Sequence, residues 1–266
     1  MLKMAAISQH IVWENKSENF KIVESLLSQL EEGTDLVVLP ECFSTGFTMN
    51  TALCETEAES LSKGGSLNFL KEMGIKYNVA LLASIPVRVG ELFYNRAFFV
   101  LPDGSFYSYD KKHLFSIAEE SEKFTPGTQE VIVEYKGFKI NLNICYDIRF
   151  PVWSRNVSLK YDILINIANF PKSRIGVIEP LVKARAIENM SYVLFCNRDG
   201  NDSALEYIPS SVFADFKGNY NFAERFCYDC AGNKTQIIDC ECSKEKLVEF
   251  REKFPVWKDF DKFKIL

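Results

Sequence analysis

Histidine, excess positive charge and long apolar runs are all scarce in this sequence. Only His10 and His113 are present among 266 residues, so a catalytic pair of cysteine and histidine has few candidates, and His113 is interpreted as a structural or orienting residue. The formal net charge is −5 and no basic stripe stands out, which argues against nucleic acid as the main partner. No stretch approaches the length of a transmembrane segment, so the sequence predicts no membrane association.

The first residues also lack the central apolar region of a signal peptide, because the short run 1–7 is followed directly by Ser8-Gln9-His10. We therefore expect a cytoplasmic protein whose eight cysteines stay reduced. No repeat, linker or low-complexity tract divides the chain, so residues 1–266 are expected to form a single domain. A tail of about residues 244–266 carries aromatic side chains and is a candidate cover for a partner subunit.

Apolar runs rich in β-branched residues alternate with helical patterns, which predicts an α/β layered fold. The predicted strands are residues 4–8, 36–39, 80–85, 97–101, 131–135, 138–145, 163–167, 192–197 and 235–242. The predicted helices are residues 16–29, 57–77, 177–189 and 244–254. The segments Pro102-Asp103-Gly104 and Lys136-Gly137 are typical of hairpin turns, so the sheets are expected to be mixed.

Cys145 lies where the predicted strand 138–145 passes into a polar turn. Residues 152–157 can begin a helix there, and its first amide groups would face an anion, which suits a reactive thiolate. A cysteine is also a common small apolar side chain in protein cores, and the local sequence alone favours that inert interpretation. Residues elsewhere in the chain must therefore decide between the two.

Two further polar side chains follow apolar runs at comparable positions. Glu41 comes directly after Pro40, beyond the predicted strand 36–39, and suits a general base at the rim of a pocket. Lys111 follows residues 106–110 and suits the stabilisation of a developing oxyanion. Taken alone, each of these residues is better interpreted as a solvated surface charge. Together, a thiol, a carboxylate and an ammonium group at three strand ends predict amide cleavage.

The three segments that carry these residues resemble, in the same order, the three motif blocks of the nitrilase superfamily, the carbon-nitrogen hydrolases. They read Leu-Pro-Glu-Cys-Phe-Ser-Thr-Gly-Phe at 39–47, Tyr-Asp-Lys-Lys-His-Leu-Phe at 109–115 and Asn-Ile-Cys-Tyr-Asp-Ile-Arg-Phe-Pro at 143–151. With Tyr94-Asn95-Arg96, Ala168-Asn169-Phe170-Pro171 and residues 184–189, the resemblance extends over essentially the whole chain. It implies a four-layer α-β-β-α sandwich with two mixed sheets, no cofactor, and a homodimer or higher homo-oligomer.

The resemblance also implies a role for each residue: Glu41 as general base, Lys111 as transition-state stabiliser and Cys145 as nucleophile. The family uses a second glutamate that lies seven residues before a glycine, and Gly127 points to Glu120 for this role. The alternatives for this last role are Glu119 and Glu122.

The second and third segments look like those of the omega-amidase branch, whose enzymes act on amides of dicarboxylic keto acids. The implied reaction is hydrolysis of the terminal amide of 2-oxoglutaramate, succinamate or a similar monoamide to the acid and ammonia, through a thioester acyl-enzyme. A carbamoylase or nitrilase, or a non-catalytic interaction protein on the same fold, stays an alternative. The candidate substrate-binding residues are Tyr146, Arg149, Phe170, Lys172, Arg174 and Ile178.

The remote carboxylate of such a substrate needs a cation, for which Arg149, Lys172 and Arg174 are the candidates. Arg149 is more readily interpreted as a structural ion-pair residue, since it lies in a turn beside Cys145. Ile178 stands where bacterial members of the branch usually have tryptophan, so we expect a widened or reshaped pocket. The physiological substrate stays open.

Four cysteines near the end of the chain raise a zinc site as a rival hypothesis. They are Cys227, Cys230, Cys240 and Cys242. The second pair has a single intervening residue, a spacing that structural zinc sites do not favour. On the predicted strand 235–242 both members of this pair share one face and can fill a core. The sequence therefore favours unmetallated thiols and no metal site.

Overall fold

The computed structural model describes residues 1–261 and 263. The tail predicted at about residues 244–266 includes residues 262 and 264–266, which lie outside the described residues. The strands are β1 (Leu2–Ile7), β2 (Leu36–Val38), β3 (Glu55–Thr56), β4 (Ala80–Val89), β5 (Leu92–Val100), β6 (Phe106–Asp110), β7 (Ile132–Tyr135), β8 (Phe138–Ile144), β9 (Ile163–Ile167), β10 (Tyr192–Cys196), β11 (Gly200–Asn201), β12 (Glu206–Tyr207), β13 (Val212–Ala214), β14 (Phe222–Tyr228) and β15 (Lys234–Cys242). The α-helices are α1 (Lys16–Leu27), α2 (Glu57–Leu61), α3 (Ser66–Tyr77), α4 (Glu120–Lys123), α5 (Ile178–Asn189) and α6 (Lys244–Lys253).

The strands form two large mixed sheets. In the first sheet the strand order is β14-β15-β1-β2-β4-β5-β6, and β3 pairs with β4. The pairs β1–β2 and β2–β4 are parallel, whereas β4–β5 and β5–β6 are antiparallel. The second sheet has the order β13-β10-β9-β8-β7, and β8, β9 and β10 run parallel. The two predicted hairpins join β5 to β6 and β7 to β8, so the prediction of mixed sheets is confirmed.

Alternate side chains of the central strands face two different cores. In β1, Leu2, Met4 and Ala6 pack in the core between the sheets, whereas Ala5 and Ile7 pack on the side of α1 and α3. The outer face of the second sheet packs against α5. Because both faces of these strands are buried, their sequences are nearly continuous apolar runs. The predicted α-β-β-α sandwich is confirmed.

The helix predicted at residues 57–77 is interrupted and forms two helices, α2 and α3. Gly64 adopts a φ of +84° between them, a left-handed conformation that glycine reaches at little cost. A Cβ at Gly65 would lie 2.1 Å from a backbone oxygen of α2, so this position also requires glycine. The glycine pair therefore ends the first helix and lets the chain turn into the second.

The prediction that a helix begins at residues 152–157 is wrong, because this segment forms turns and then a short 3-10 helix at Val157–Leu159. The Asn156 side chain accepts a hydrogen bond from the Tyr161 amide and donates one to the Tyr161 carbonyl. Such local bonds between a side chain and the backbone compete with helix formation.

The tail begins with α6 and continues into a 3-10 helix at Val256–Asp259. The guanidinium carbon of Arg155 lies 3.8 Å from the centroid of the Phe260 ring, so this part of the tail contacts its own chain. A role of the tail at a subunit interface stays a prediction. None of the helices within the described ranges is long and apolar enough to cross a membrane.

The four cysteines of the zinc hypothesis lie on different sides of the first sheet. Cys240 and Cys242 face the core between the sheets and share one face, whereas Cys227 packs on the side of α1 and Cys230 is exposed. The part of the chain that the structure describes contains no group of three or more cysteine, histidine or carboxylate side chains placed to hold a metal ion. The rival zinc hypothesis therefore lacks a ligand set.

Candidate active site

Glu41 lies in a turn just beyond β2 and is fully buried. Its Oε1 atom accepts hydrogen bonds from Asn95 Nδ2 at 2.7 Å and from Lys111 Nζ at 2.9 Å. Its Oε2 atom accepts a bond of 2.9 Å from the backbone amide of Asn169. Three donors from three separate segments therefore fix this carboxylate in place.

The ammonium group of Lys111 joins two carboxylates. Lys111 is the first residue beyond β6, and its side chain is fully buried. Its Nζ atom lies 2.9 Å from Glu41 Oε1 and 2.9 Å from Glu120 Oε2. Burial opposes the charge, but the carboxylates of Glu120 and Glu41 outweigh it and hold the pKa of Lys111 well above its ordinary value. Lys111 is therefore charged at neutral pH.

Of the three glutamates proposed for the second acidic position, Glu120 is the one that reaches Lys111. It begins α4 and is fully buried, whereas Glu119 and Glu122 are exposed. Its carboxylate also accepts a 2.6 Å hydrogen bond from the amide of Phe115. Burial raises the pKa of Glu120, and the ammonium of Lys111 opposes this shift.

Cys145 is the first residue beyond β8 and begins the 3-10 helix Cys145–Arg149. Its φ of +50° is a conformation that residues other than glycine rarely adopt. Strained backbone of this kind is concentrated at functional sites. Cys145 is half-buried in this turn and lines a cavity.

The thiol of Cys145 has a pKa well above its ordinary value. Burial is the largest cause and the Glu41 carboxylate adds to it, whereas Lys111 and the Asn169 backbone amide oppose the shift. The resting side chain is therefore a neutral thiol at neutral pH, and a thiolate forms only with a proton acceptor. The Glu41 carboxylate is beside the thiol and can take this proton.

Asp147 holds the loop that follows Lys111. It is fully buried, and its Oδ1 atom accepts a 2.9 Å bond from the backbone amide of His113 and lies 2.8 Å from Nδ1 of the same residue. The imidazole stacks on Phe150, with the ring centroids 3.7 Å apart. These contacts fit the interpretation of His113 as an orienting residue.

A cavity of about 400 Å³ opens at Cys145. This volume is in the range of small-molecule sites. Aromatic rings contribute to its wall, namely those of Phe47, Phe115, Tyr146, Phe170 and Tyr207. The site thus combines a buried charged network with a cavity that has an apolar wall.

Two guanidinium groups, from Arg149 and Arg174, also line the cavity. The guanidinium of Arg174 lies 4.5 Å from the centroid of the Phe115 ring. The arginine ion pairs within the described residues are formed by Arg96, Arg185, Arg225 and Arg251. The structure thus shows no ion pair at Arg149 among these residues. Both guanidinium groups can meet a ligand in the cavity, which the carboxylate of Asp202 also lines.

Of the predicted substrate-binding residues, Tyr146 and Phe170 line the cavity, whereas Lys172 and Ile178 do not. Lys172 Nζ lies 2.9 Å from Glu206 on the exposed surface. Ile178 is the first residue of α5 and is only 2% exposed, in the core between this helix and the second sheet. The Ile178 side chain therefore does not line the cavity, and the expected reshaping of the pocket by this smaller residue stays a prediction.

The sequence analysis assigned no role to three residues of the site. Asn95 Nδ2 lies 2.7 Å from Glu41 and 3.5 Å from Glu120, and Asn169 holds the other Glu41 oxygen. Both asparagines stand in short segments that resemble the family, so a signal for them existed. Tyr207 comes from the two-residue strand β12, which is too short to give any periodic pattern.

The family model described as carbon-nitrogen hydrolase matches residues 3–221 of the chain. The chain is 36% identical to the omega-amidase YafV of Yersinia enterocolitica, over 100% of this chain and 99% of that protein. It is 30% identical to the 2-oxoglutaramate amidase of Bacillus subtilis (strain 168), over 95% of each chain. Among solved structures, the chain is similar to XC1258 from Xanthomonas campestris, a CN-hydrolase superfamily protein with an arsenic adduct in its active site. The TM-score is 0.89 and the sequence identity is 29%, over 100% of this chain and 99% of that one.

Proposed function

The chain belongs to the carbon-nitrogen hydrolase family, and from this premise we propose that it is a cysteine-dependent omega-amidase. Its similarity to amidases supports an amidase that acts on a small-molecule amide. The proposed substrate is the monoamide of a dicarboxylic or keto dicarboxylic acid, such as succinamate or 2-oxoglutaramate. The products are the dicarboxylic acid and ammonia.

One observation carries this proposal: a charged network of Glu41, Lys111 and Glu120 lies beside a thiol whose cavity also holds two arginines. The network supplies a proton acceptor and a fixed positive charge next to Cys145. Guanidinium groups bind carboxylates through paired hydrogen bonds, so Arg149 and Arg174 suit the distant carboxylate of the substrate.

In the proposed acylation, Glu41 takes the proton of Cys145 and the sulfur attacks the amide carbon. Lys111 and the Tyr146 backbone amide bind the oxyanion that forms. The Tyr146 amide is free to do so because the first N–H groups of a helical turn have no acceptor within that turn. The protonated Glu41 then gives its proton to the leaving nitrogen. Breakage of the carbon–nitrogen bond releases ammonia and leaves a thioester on Cys145.

In the proposed deacylation, Glu41 takes a proton from water as the water oxygen attacks the thioester carbon. The second tetrahedral intermediate collapses to the free acid, and the departing sulfur regains the proton from Glu41. Glu120 holds Lys111 in place throughout, because it binds Nζ with both carboxylate oxygens, at 3.0 and 2.9 Å. Its proposed role is to position Lys111 and to balance its charge.

Ammonia release from a small set of compounds tests the proposed substrate class. The matched pair is succinamate and butyramide, which have the same carbon chain length and differ in the distant carboxylate. We expect a much higher kcat/KM for succinamate and for 2-oxoglutaramate. Preference for butyramide, for a nitrile, or for a carbamoyl amine with carbon dioxide release would contradict the proposal.

Three further expectations stay predictions: a homodimer or higher homo-oligomer, a cytoplasmic location, and residues 1–266 as a single domain with its tail at a subunit interface. Light scattering coupled to size-exclusion chromatography measures the oligomeric state directly. A truncation before Val256 that changes this state would support the role of the tail.

A further inference from the structure

Residues 199–207 form one part of the wall of the cavity at Cys145. The side chains of Asp202, Leu205 and Tyr207 from this segment line the cavity. Its two strands, β11 and β12, pair over only two residues each. A two-stranded hairpin is marginally stable by itself in water, and one this short has few backbone hydrogen bonds. Other parts of the molecule must therefore hold the segment against the cavity.

Arg198 directly precedes this segment and is fully buried. Its Nε atom donates a 2.9 Å hydrogen bond to the Asp199 carbonyl, and its Nη2 atom donates to the Asn201 carbonyl at 3.3 Å. The guanidinium carbon lies 4.4 Å from the centroid of the Tyr207 ring, within the range of a cation–π contact. One side chain therefore contacts both strands of the hairpin.

The same guanidinium group is anchored outside the segment. Its Nη2 atom also donates a 2.6 Å hydrogen bond to the carbonyl of Ile11, which follows β1. A Cβ atom at Gly200 would lie 3.0 Å from Nη2, and a Cβ atom at Gly46 would lie 3.2 Å from Nη1. The backbone at Gly46 and Gly200 thus passes close to the guanidinium. Arg198 therefore connects the segment to the chain after β1 and lies beside the turn that leads to Phe47, another cavity residue.

The charge of Arg198 is buried without a carboxylate partner. The ion pairs within the described residues do not include Arg198, and its Nη1 atom has no hydrogen-bond partner among those residues. Burial lowers the pKa of Arg198 to about 10, so the guanidinium is still charged at neutral pH. Burying a charge in this way costs free energy. Stability alone therefore explains Arg198 poorly, whereas its contacts with the cavity wall give it a function.

We propose that Arg198 is a positioning residue that sets substrate affinity by holding residues 199–207, and Tyr207 above all, against the cavity. This inference rests on the proposed amidase function. The groups that hold Glu41 and Lys111 all come from outside this segment. A wall residue contacts the substrate to a similar extent before and during the reaction, so displacement of the wall raises KM and leaves kcat nearly unchanged.

The R198K variant tests this role because it keeps the charge and replaces the planar guanidinium, with its fork of donors, by a single nitrogen. We expect KM for succinamate to rise about tenfold, the factor that corresponds to one lost hydrogen bond to a charged group. The value of kcat should change less than about threefold. The matched control is R88K, which replaces an exposed arginine of β4 outside the cavity and should keep both constants.

Hydrogen exchange measured by mass spectrometry gives a second readout that does not depend on amide hydrolysis. In R198K, peptides covering residues 199–207 should exchange faster than in the wild type, whereas peptides of α3 should be unchanged. If R198K does not fold, two variants at Tyr207 replace it. Y207F keeps the ring that contacts the guanidinium and Y207L removes it, so we expect faster exchange in this segment for Y207L than for Y207F.

An unchanged KM in folded R198K, a loss confined to kcat, or equal exchange in Y207F and Y207L would overturn the role of Arg198. A wild-type protein that releases no ammonia from succinamate or 2-oxoglutaramate would contradict the proposed function instead. In that case the exchange measurements still decide whether Arg198 holds the segment.

Discussion

The Tyr109 hydroxyl donates a 2.7 Å hydrogen bond to Asp147 Oδ2, and this contact ties the strand that leads into Lys111 to the turn that carries Cys145. The same Asp147 oxygen accepts a 3.0 Å bond from the amide of Ile144, the residue before Cys145. Burial and the Asp147 charge raise the pKa of Tyr109, so its hydroxyl stays protonated and remains a donor. Asp147 therefore sets the distance between two segments of the candidate site.

The D147N variant should lower kcat much more than it changes KM for succinamate. The amide cannot accept all of these bonds, and a displacement of about 1 Å at reacting groups costs about 100-fold in rate. Steady-state kinetics on folded protein measures both constants, and Y109F, which removes one donor to Asp147, should give a smaller loss of kcat. Unchanged kcat in folded D147N would contradict a positioning role for Asp147.

The C145S variant should lose amidase activity by about three orders of magnitude or more, because a serine hydroxyl is far less acidic than a thiol and Glu41 activates it poorly. Its melting temperature should stay close to that of the wild type, since serine differs little in size and can adopt the same φ. The matched control is C230S, which replaces an exposed thiol outside the cavity and should keep full activity. Unimpaired turnover in C145S would rule out the proposed nucleophile.

The E41Q variant should lose turnover while the pKa of Cys145 falls. Glu41 is the second cause that raises this pKa, after burial, and the Lys111 charge that lowers it remains in the variant. The Cys145 thiolate should therefore appear at lower pH in E41Q than in the wild type. The thiolate absorbance near 240 nm is measured as a function of pH for the wild type and for E41Q. Subtracting the curve of the matching C145S protein from each gives the two midpoints of Cys145 ionisation. An equal or higher midpoint in E41Q would contradict this account of the site.

The parts of the site that follow from local pattern were predictable, and the parts that depend on distant contacts were not. Glu41 and Cys145 each follow an apolar run, and this pattern is readable in one segment at a time. The bond from Asn95 to Glu41 joins residues 54 positions apart, and no local pattern encodes it. Fold class was predictable for the same reason, because strands buried on both faces are visible as apolar runs.

Side-chain direction in short irregular segments was the main source of error. Lys172 and Arg174 are both cations of the 3-10 helix Lys172–Val177, yet only Arg174 lines the cavity. The sequence identifies the charges but not which of them faces inward, because a 3-10 helix of six residues has no long apolar stripe to set its rotation. The glycine pair after α2 was a readable signal for the helix break that the predicted helix 57–77 missed.

The last prediction separates the cavity arginines from the neighbouring surface lysine. R149Q and R174Q should each raise KM for succinamate about 10- to 100-fold, because a hydrogen bond to a charged group contributes about 1.5–3 kcal/mol. Neither substitution should change kcat/KM for butyramide by a similar factor, since this amide has no carboxylate to bind. The matched control is K172Q, because Lys172 pairs with Glu206 outside the cavity and should leave both substrates unaffected. If K172Q alone impaired succinamate hydrolysis, the carboxylate would bind at the rim near β12 rather than beside Arg149 and Arg174.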